Sequence, residues 1–278
     1  MQIKKMLTIL SRNTLTCVGI IIVLLMVFLG FAAPFIAPYD PIALDLPARL
    51  QAPSGEHFFG TDEMGRDVFS RVIYGCKISI QVGLTIVVLA ALIGTLIGSI
   101  AGYFGGRIDY VIMAFTDIVL SFPSMVLAMA LAAALGPSLF NTMLAVSFVK
   151  IPVYVRLVRG QVLSLKERQY VKAARTFGAT PWWIIPRHII PNCIAPVLIQ
   201  MTLGIGEAIV TAASLSFIGL GAQPPTPEWG AMISTARLYA LEQWWYAAFP
   251  GMAIFITVVG FNLLGDGVRD ILDPRSKS

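Results

Sequence analysis

Two acids, Asp117 and Glu207, stand inside stretches of this chain that are otherwise apolar. A carboxylate in such surroundings needs a proton, water or a counter-charge. Glu207 lies between Gly204/Gly206 and the small-residue run Thr211-Ala212-Ala213-Ser214, which leaves room for any of the three. Two readings of it stay open: a neutral acid buried between helices, or a group facing a wet path as a weak site for an ammonium group or a metal chelate. Asp117 precedes Phe122-Pro123, where a helix break frees backbone carbonyls, so a structural bond across helices is expected there. Catalytic chemistry finds little support. His57 and His188 fall on opposite faces of the membrane, no H-E-x-x-H is present, and no Ser/His/Asp set converges. The chain also lacks the G-x4-G-K-[ST] phosphate loop of ATP-hydrolysing proteins.

A second constellation is a surface. Lys172-Ala173-Ala174, Gly178 and Ile190-Pro191 lie in the longest basic loop, about residues 160–192. Ser164-Leu165-Lys166-Glu167 reads as a capping box that opens a helix. That helix aligns Tyr170, Ala173, Ala174 and Phe177 in a small-and-aromatic stripe, flanked by Lys166, Arg168, Lys172 and Arg175. Gly178 suits a left-handed stop, Thr180-Pro181 starts a second short helix, and Pro191 precedes the next span. Projecting beyond the bilayer with no chain of its own to pack on, the helix offers a shallow face to a partner protein. A helix resting on lipid headgroups would explain the basic flank, but not why the apolar face is small.

Membrane spans must position these groups. Of 278 residues, 57% are hydrophobic and 13% charged, with mean hydropathy +0.79; soluble domains carry about 25% charged residues. A helix crosses the apolar core with about 20 residues. Six segments qualify, giving an all-α membrane protein: about Cys17–Ile36, Ile78–Phe104, Val111–Leu135, Ser138–Val158, Ile194–Gly221 and Tyr246–Gly265. The first follows Lys4, Lys5 and Arg12, but its apolar run exceeds that of a signal peptide, so it reads as a retained span. With both termini in the cytoplasm, fifteen of the 20 Lys and Arg residues fall inside, Lys150 among them, and five outside. The net charge of +5 follows these boundaries and points away from nucleic acid. Three cysteines cannot build a disulfide framework, and Cys76 falls across the membrane from Cys17 and Cys193.

The chain divides into residues 1–76 (basic lead, first span and outer segment) and 77–278 (five spans and the loop). The outer segment ends in Gly60–Arg71. Thr61 or Asp62 as cap, Met64, Val68 and Val72 on one face, and Asp62/Arg66 and Asp67/Arg71 four apart read as an amphipathic helix on the outer membrane surface. It serves either as a structural clamp or as a gating or receptor contact. Gly94, Gly98 and Gly102 let a helix approach closely, within the chain or at a subunit interface. Trp244-Trp245 suits the interfacial aromatic belt, and no internal repeat is evident.

Lys172-Ala173-Ala174-x3-Gly178-x9-His188-x-Ile190-Pro191 resembles the loop E-A-A-x3-G-x9-I-x-L-P of binding-protein-dependent ABC importer permeases, departing from it at Lys172 and His188. Gly60-Thr61-Asp62-x2-Gly65-Arg66-Asp67, Gly105-Gly106-Arg107-x-Asp109, Phe217-x-Gly219 through Gly230, and Phe261-Asn262-Leu263 through Pro274 are similar to the C-type permeases of dipeptide, oligopeptide and nickel importers. Within that group, Ala130–Ser138 and Gln243–Gly251 look nearest to permeases for D-alanyl-D-alanine dipeptides. The resemblance implies the six-helix type I ABC importer permease fold in a bacterial inner membrane, forming half of a path for peptides, with dipeptides expected and nickel or metal chelates the alternative. It also implies a second similar permease, two ATPase subunits that hold the ATP and Mg, and an external substrate-binding protein. ATPase closure would push the loop helix at Tyr170, Lys172, Ala173, Ala174, Phe177, Gly178, Ile190 and Pro191 and tilt the spans. An ion-coupled secondary transporter is the rival from another class; it needs coupling groups, and the only acids inside spans are Asp117 and Glu207.

Overall fold

A computed structural model describes residues 14–272. Lys4, Lys5, Arg12, Arg275 and Lys277 of the charge asymmetry, and Asp273-Pro274 of the last motif, lie outside the described residues. The ordered elements are helices: α1 (Thr14–Ile36), α2 (Val68–Phe104), α3 (Gly106–Ser121), α4 (Ser124–Leu135), α5 (Leu139–Leu165), α6 (Gln169–Thr176), α7 (Pro181–Ile184), α8 (Ile190–Phe217), α9 (Trp229–Ala236) and α10 (Trp244–Leu272). No strand forms among the described residues, only an isolated bridge between Thr61 and Asp67. Among the described residues five helices are long and apolar enough to cross a membrane, and the α3–α4 pair, bent by 94°, makes a sixth crossing if taken as one span. The bend follows from Pro123. Proline forces the residue before it out of the helical region, and Phe122 is extended at φ −86°, ψ 143°.

α2 is the central post, with α5 and α8 packed against it in one buried cluster. The approach of α5 depends on glycine. A Cβ at Gly94 would lie 2.5 Å from Tyr154 Cβ, and one at Gly98 would lie 2.6 Å from the Val155 carbonyl oxygen. The ribbon thus packs within the chain, not at a subunit interface. Gly98→Leu should force α2 and α5 apart at a cost of about 1–3 kcal/mol or more. Its membrane abundance and melting temperature should fall, and wild-type values for both would refute this packing role.

The outer segment differs from the surface helix expected of it. Helix α2 begins only at Val68, where Asp67 caps it by accepting from the Ser70 N–H at 2.7 Å. It then runs 37 residues, with no proline to interrupt it before Gly105 adopts positive φ. Residues 60–67 are a buried loop. Gly60 and Gly65 hold φ +72° and +74°, and a Cβ at Gly65 would sit 1.6 Å from the Asp45 carbonyl oxygen. Asp62 is fully buried; it accepts from the Met64 and Arg66 N–H groups and pairs with Arg66 Nε at 2.6 Å. Arg71 also pairs with Asp62, at 3.5 Å and without hydrogen-bond geometry, and Arg71 Nη1 donates to the Pro41 carbonyl at 2.7 Å. Asp67, expected to pair with Arg71, faces His57 Nδ1 at 3.0 Å instead.

The same loop is tied to the far end of the chain. Glu63 takes Arg66 Nη2 at 3.0 Å and the Tyr246 hydroxyl, while the Trp245 indole reaches the Thr61 carbonyl at 3.5 Å. Trp245 is therefore a buried anchor, not a member of an interfacial belt; Trp244 beside it is exposed. The segment clamps α2 to α10.

Candidate functional site

The loop helix α6 sits at the end of the bundle opposite this clamp. Helix α5 runs through Ser164 to Leu165, so the capping box expected at Ser164–Glu167 does not form; Arg168 occupies the N-cap position without a side-chain bond. α6 is also not left without chain to pack on. Val171 is fully buried in the cluster that contains Tyr103, Val162, Ile184 and Ile189, and Ala174 packs against it. Arg175 Nε donates to the Tyr103 hydroxyl at 3.1 Å with its guanidinium 4.7 Å from that ring, and Lys166 Nζ donates to the Gly102 carbonyl at 3.0 Å. α6 is therefore seated on the ends of α2 and α5.

The outward side of α6 carries Tyr170, Ala173 and Phe177, three and four residues apart, with Phe177 90% exposed. Ala174, placed on the same stripe by its sequence position, turns inward. Lys172 meets Glu167 at 2.9 Å, and its ammonium holds the Glu167 carboxyl below the ordinary carboxylate range. Gly178 adopts φ +83°. Its N–H bonds the Arg175 carbonyl and the Ala179 N–H bonds that of Ala174, the paired closure of a left-handed helix stop. Thr180 and Pro181 open α7 as expected, without a side-chain cap bond. The chain then passes through a π-helical turn, Ile185–Ile189, directly into α8. Ile190 is half-buried, and exposed Pro191 lies in the first turn of α8, ahead of the expected span at Ile194. α6 thus touches or leads into three of the long helices, α2, α5 and α8.

The intramembrane acids both have basic partners. Glu207 meets Lys150 Nζ at 2.9 Å and is 68% exposed, which removes the neutral buried acid. Lys150, counted above with the cytoplasmic charges, lies within α5 about eleven residues from its start, roughly 16 Å at 1.5 Å per residue. Glu207 lies about ten residues, roughly 15 Å, from the corresponding end of α8. The two groups meet near mid-span. Their opposition could have been read from the sequence, since a Lys and a Glu occupy the middles of antiparallel apolar runs. The neighbouring glycines do not make room for a ligand: Gly204 faces Tyr154 and Val87, and Gly206 faces Asn262 and Val258.

Asp117 makes the bond across helices expected of it, at 2.6 Å, but to the Arg156 guanidinium and not to carbonyls freed at Pro123. Nearer the α6 end, Asp109 and Arg159 form a two-pronged pair at 2.5 and 2.6 Å. The open face beside Glu207 continues along α8 through Val210, Thr211 and Ser214.

Five or six apolar crossings among the described residues, charges paired at mid-span and a seated helix with an exposed aromatic at one end define a multi-pass membrane protein. The model of the family described as binding-protein-dependent transport system inner membrane component matches residues 94–278, and that of the N-terminal TM domain of oligopeptide transport permease C matches residues 2–53. The probable D,D-dipeptide transport system permease protein DdpC of Escherichia coli K12 is 54% identical, covering 98% of this chain and 91% of the relative. The dipeptide transport system permease protein DppC of Alkalihalophilus pseudofirmus is 46% identical over 97% of the chain and 88% of its own length. The glutathione transport system permease protein GsiD of Pectobacterium atrosepticum is 45% identical over 92% and 85%.

The chain belongs to the family of binding-protein-dependent transport system inner membrane components. It is the permease subunit of an ABC importer, a multi-pass inner-membrane protein that works with ATPase and substrate-binding partners.

Proposed function

We propose that this chain forms half of an inner-membrane path for peptides, dipeptides first among them, together with a second similar permease. The observation that carries the cargo is the 54% identity, across 98% of the chain, to a relative named for D,D-dipeptide transport. One of two ATPase subunits, which bind the ATP and Mg, docks on the outward stripe of α6, with Tyr170, Ala173 and Phe177 in contact. Lys172, Gly178, Ile190 and Pro191 hold the loop that carries that stripe, and an external binding protein delivers cargo at the clamp end. Glu207 and Asp117 face the path. A charge at mid-membrane costs about 2.5–3.5 kcal/mol on insertion scales, so an exposed Glu207 is far better placed against water than against acyl chains. Lipid covers the remaining apolar surface.

A deletion strain should lose uptake of labelled dipeptides and regain it from the intact gene. Loss of nickel-chelate uptake with dipeptide uptake unchanged would overturn the peptide reading. Both termini are assigned to the cytoplasm. A reporter after Ser278 should read cytoplasmic and a tag inserted at exposed Gly55 external; an external C-terminus would put α6 on the wrong side for an ATPase.

A further inference from the structure

Resting on the peptide reading, we propose that the Lys150–Glu207 pair is a binding station for the two free termini of a zwitterionic peptide. Lys150 takes the α-carboxylate and Glu207 takes the α-ammonium. The pair has three properties that suit this task. It lies near mid-span, on two different helices, α5 and α8, so its poles can separate when the helices tilt. It is lopsided: Lys150 is 14% exposed and Glu207 68%, so the carboxylate is the open member and the ammonium stands behind it. And the open side carries hydroxyl groups among its apolar residues. Beyond Glu207 the face of α8 presents Thr211 and Ser214 at helical spacing, each hydroxyl donating to the carbonyl four residues back and keeping its lone pairs free for a peptide N–H.

The chemistry then selects the ligand. With the site empty, each pole neutralises the other and no unpaired charge stands in the membrane. A ligand with one positive and one negative end replaces each partner with an equivalent one, so the exchange is close to balanced and the cargo remains releasable. A ligand with a single charge would strand the opposite pole at mid-span, which is costly. The station therefore discriminates against peptides blocked at either end. A second pair of the same make, Arg156–Asp117, with both members about half exposed, lies about six residues nearer the α6 end of α5, roughly 9 Å along the helix. Six residues at 3.6 per turn rotate it about 120° around α5 from Lys150, so it belongs to the α3–α5 contact and not to this station.

The test uses the complete transporter in proteoliposomes with its binding protein. Removing both charges leaves no stranded ion, so Lys150→Met combined with Glu207→Leu isolates recognition from ion pairing. Uptake of a labelled dipeptide per assembled complex should fall at least about tenfold, the loss expected when charge-assisted hydrogen bonds of 1.5–3 kcal/mol disappear. Uptake within twofold of wild type would overturn the proposal. A second measurement stands whether or not that variant assembles. Thr211→Cys, one turn from Glu207, should react with a charged thiol reagent, above the background of the native chain, and millimolar dipeptide should slow the reaction while its N-acetyl, C-amide analogue does not. An unreactive Thr211→Cys, or equal protection by both peptides, would overturn the proposal. If the wild-type transporter takes up no dipeptide at all, the peptide reading itself fails, a result separate from either of these.

Discussion

Asp62→Ala is expected to unfasten the outer clamp and give the largest loss of stability of any single substitution in this chain. Asp62 is fully buried; it accepts two backbone N–H groups and neutralises both Arg66 and Arg71, which are themselves buried. Removing one partner of a buried ion pair costs about 3–5 kcal/mol, mostly because the remaining charge stays in place. Here two guanidinium groups would remain, with only Glu63 near enough to Arg66 to compensate. The loop of residues 60–67 also holds Trp245 and Tyr246, so its release should loosen α10 from α2. Limited proteolysis should cut the outer segment of the variant under conditions that spare the wild type, and the variant's membrane abundance should fall. Asp62→Asn, which keeps a side-chain acceptor for both backbone N–H groups, should be milder. Equal protease resistance in Asp62→Ala and wild type would show that the clamp holds through its apolar contacts alone.

The second large effect is expected at the α6 stop and should leave the permease inserted in the membrane. A Cβ at Gly178 would meet no atom within 4 Å, so Gly178→Val introduces no clash. What changes is the backbone. At φ +83° a β-branched residue is strained by about 1–3 kcal/mol, and the closing turn should give way. Phe177, the residue before it, would then no longer be presented. Phe177→Ala removes the knob directly; an aromatic anchor at an interface centre is worth about 2 kcal/mol or more, roughly thirtyfold in affinity. Both variants should insert at wild-type abundance, co-purify poorly with the ATPase and lose uptake. Ala173→Trp should do the same by blocking the outward stripe, whereas Ala174→Trp would disturb the inward contact with the bundle. Normal ATPase recovery with Phe177→Ala would remove α6 as the docking element.

The crossings were legible because hydropathy and length decide them, and the α6 stop was legible because Gly178 and Thr180-Pro181 are local signals. The errors came where tertiary contacts replaced local ones. Asp62/Arg66, four apart, read as a pair on a helix surface, yet the same spacing closes a buried turn, and only distant Tyr246 and Trp245 reveal which. The Ser164–Glu167 pattern was overruled because α5 gains more by continuing along α2 to Leu165 than by stopping at a cap. Ala174 and Phe177 share a stripe on a helical wheel, but the packing of Val171 beneath α6 sets the rotation, turning the first inward and the second out. Lys150 was assigned by counting charge per side, which has no place for a cation that stays at mid-span because an acid waits opposite.

The most direct test of the account is transport by the complex purified through this chain and reconstituted with its binding protein. Labelled dipeptide should accumulate inside the vesicles when ATP and Mg are supplied on the α6 side, and not with a non-hydrolysable nucleotide or with an ion gradient alone. Accumulation driven by an ion gradient without ATP would contradict it.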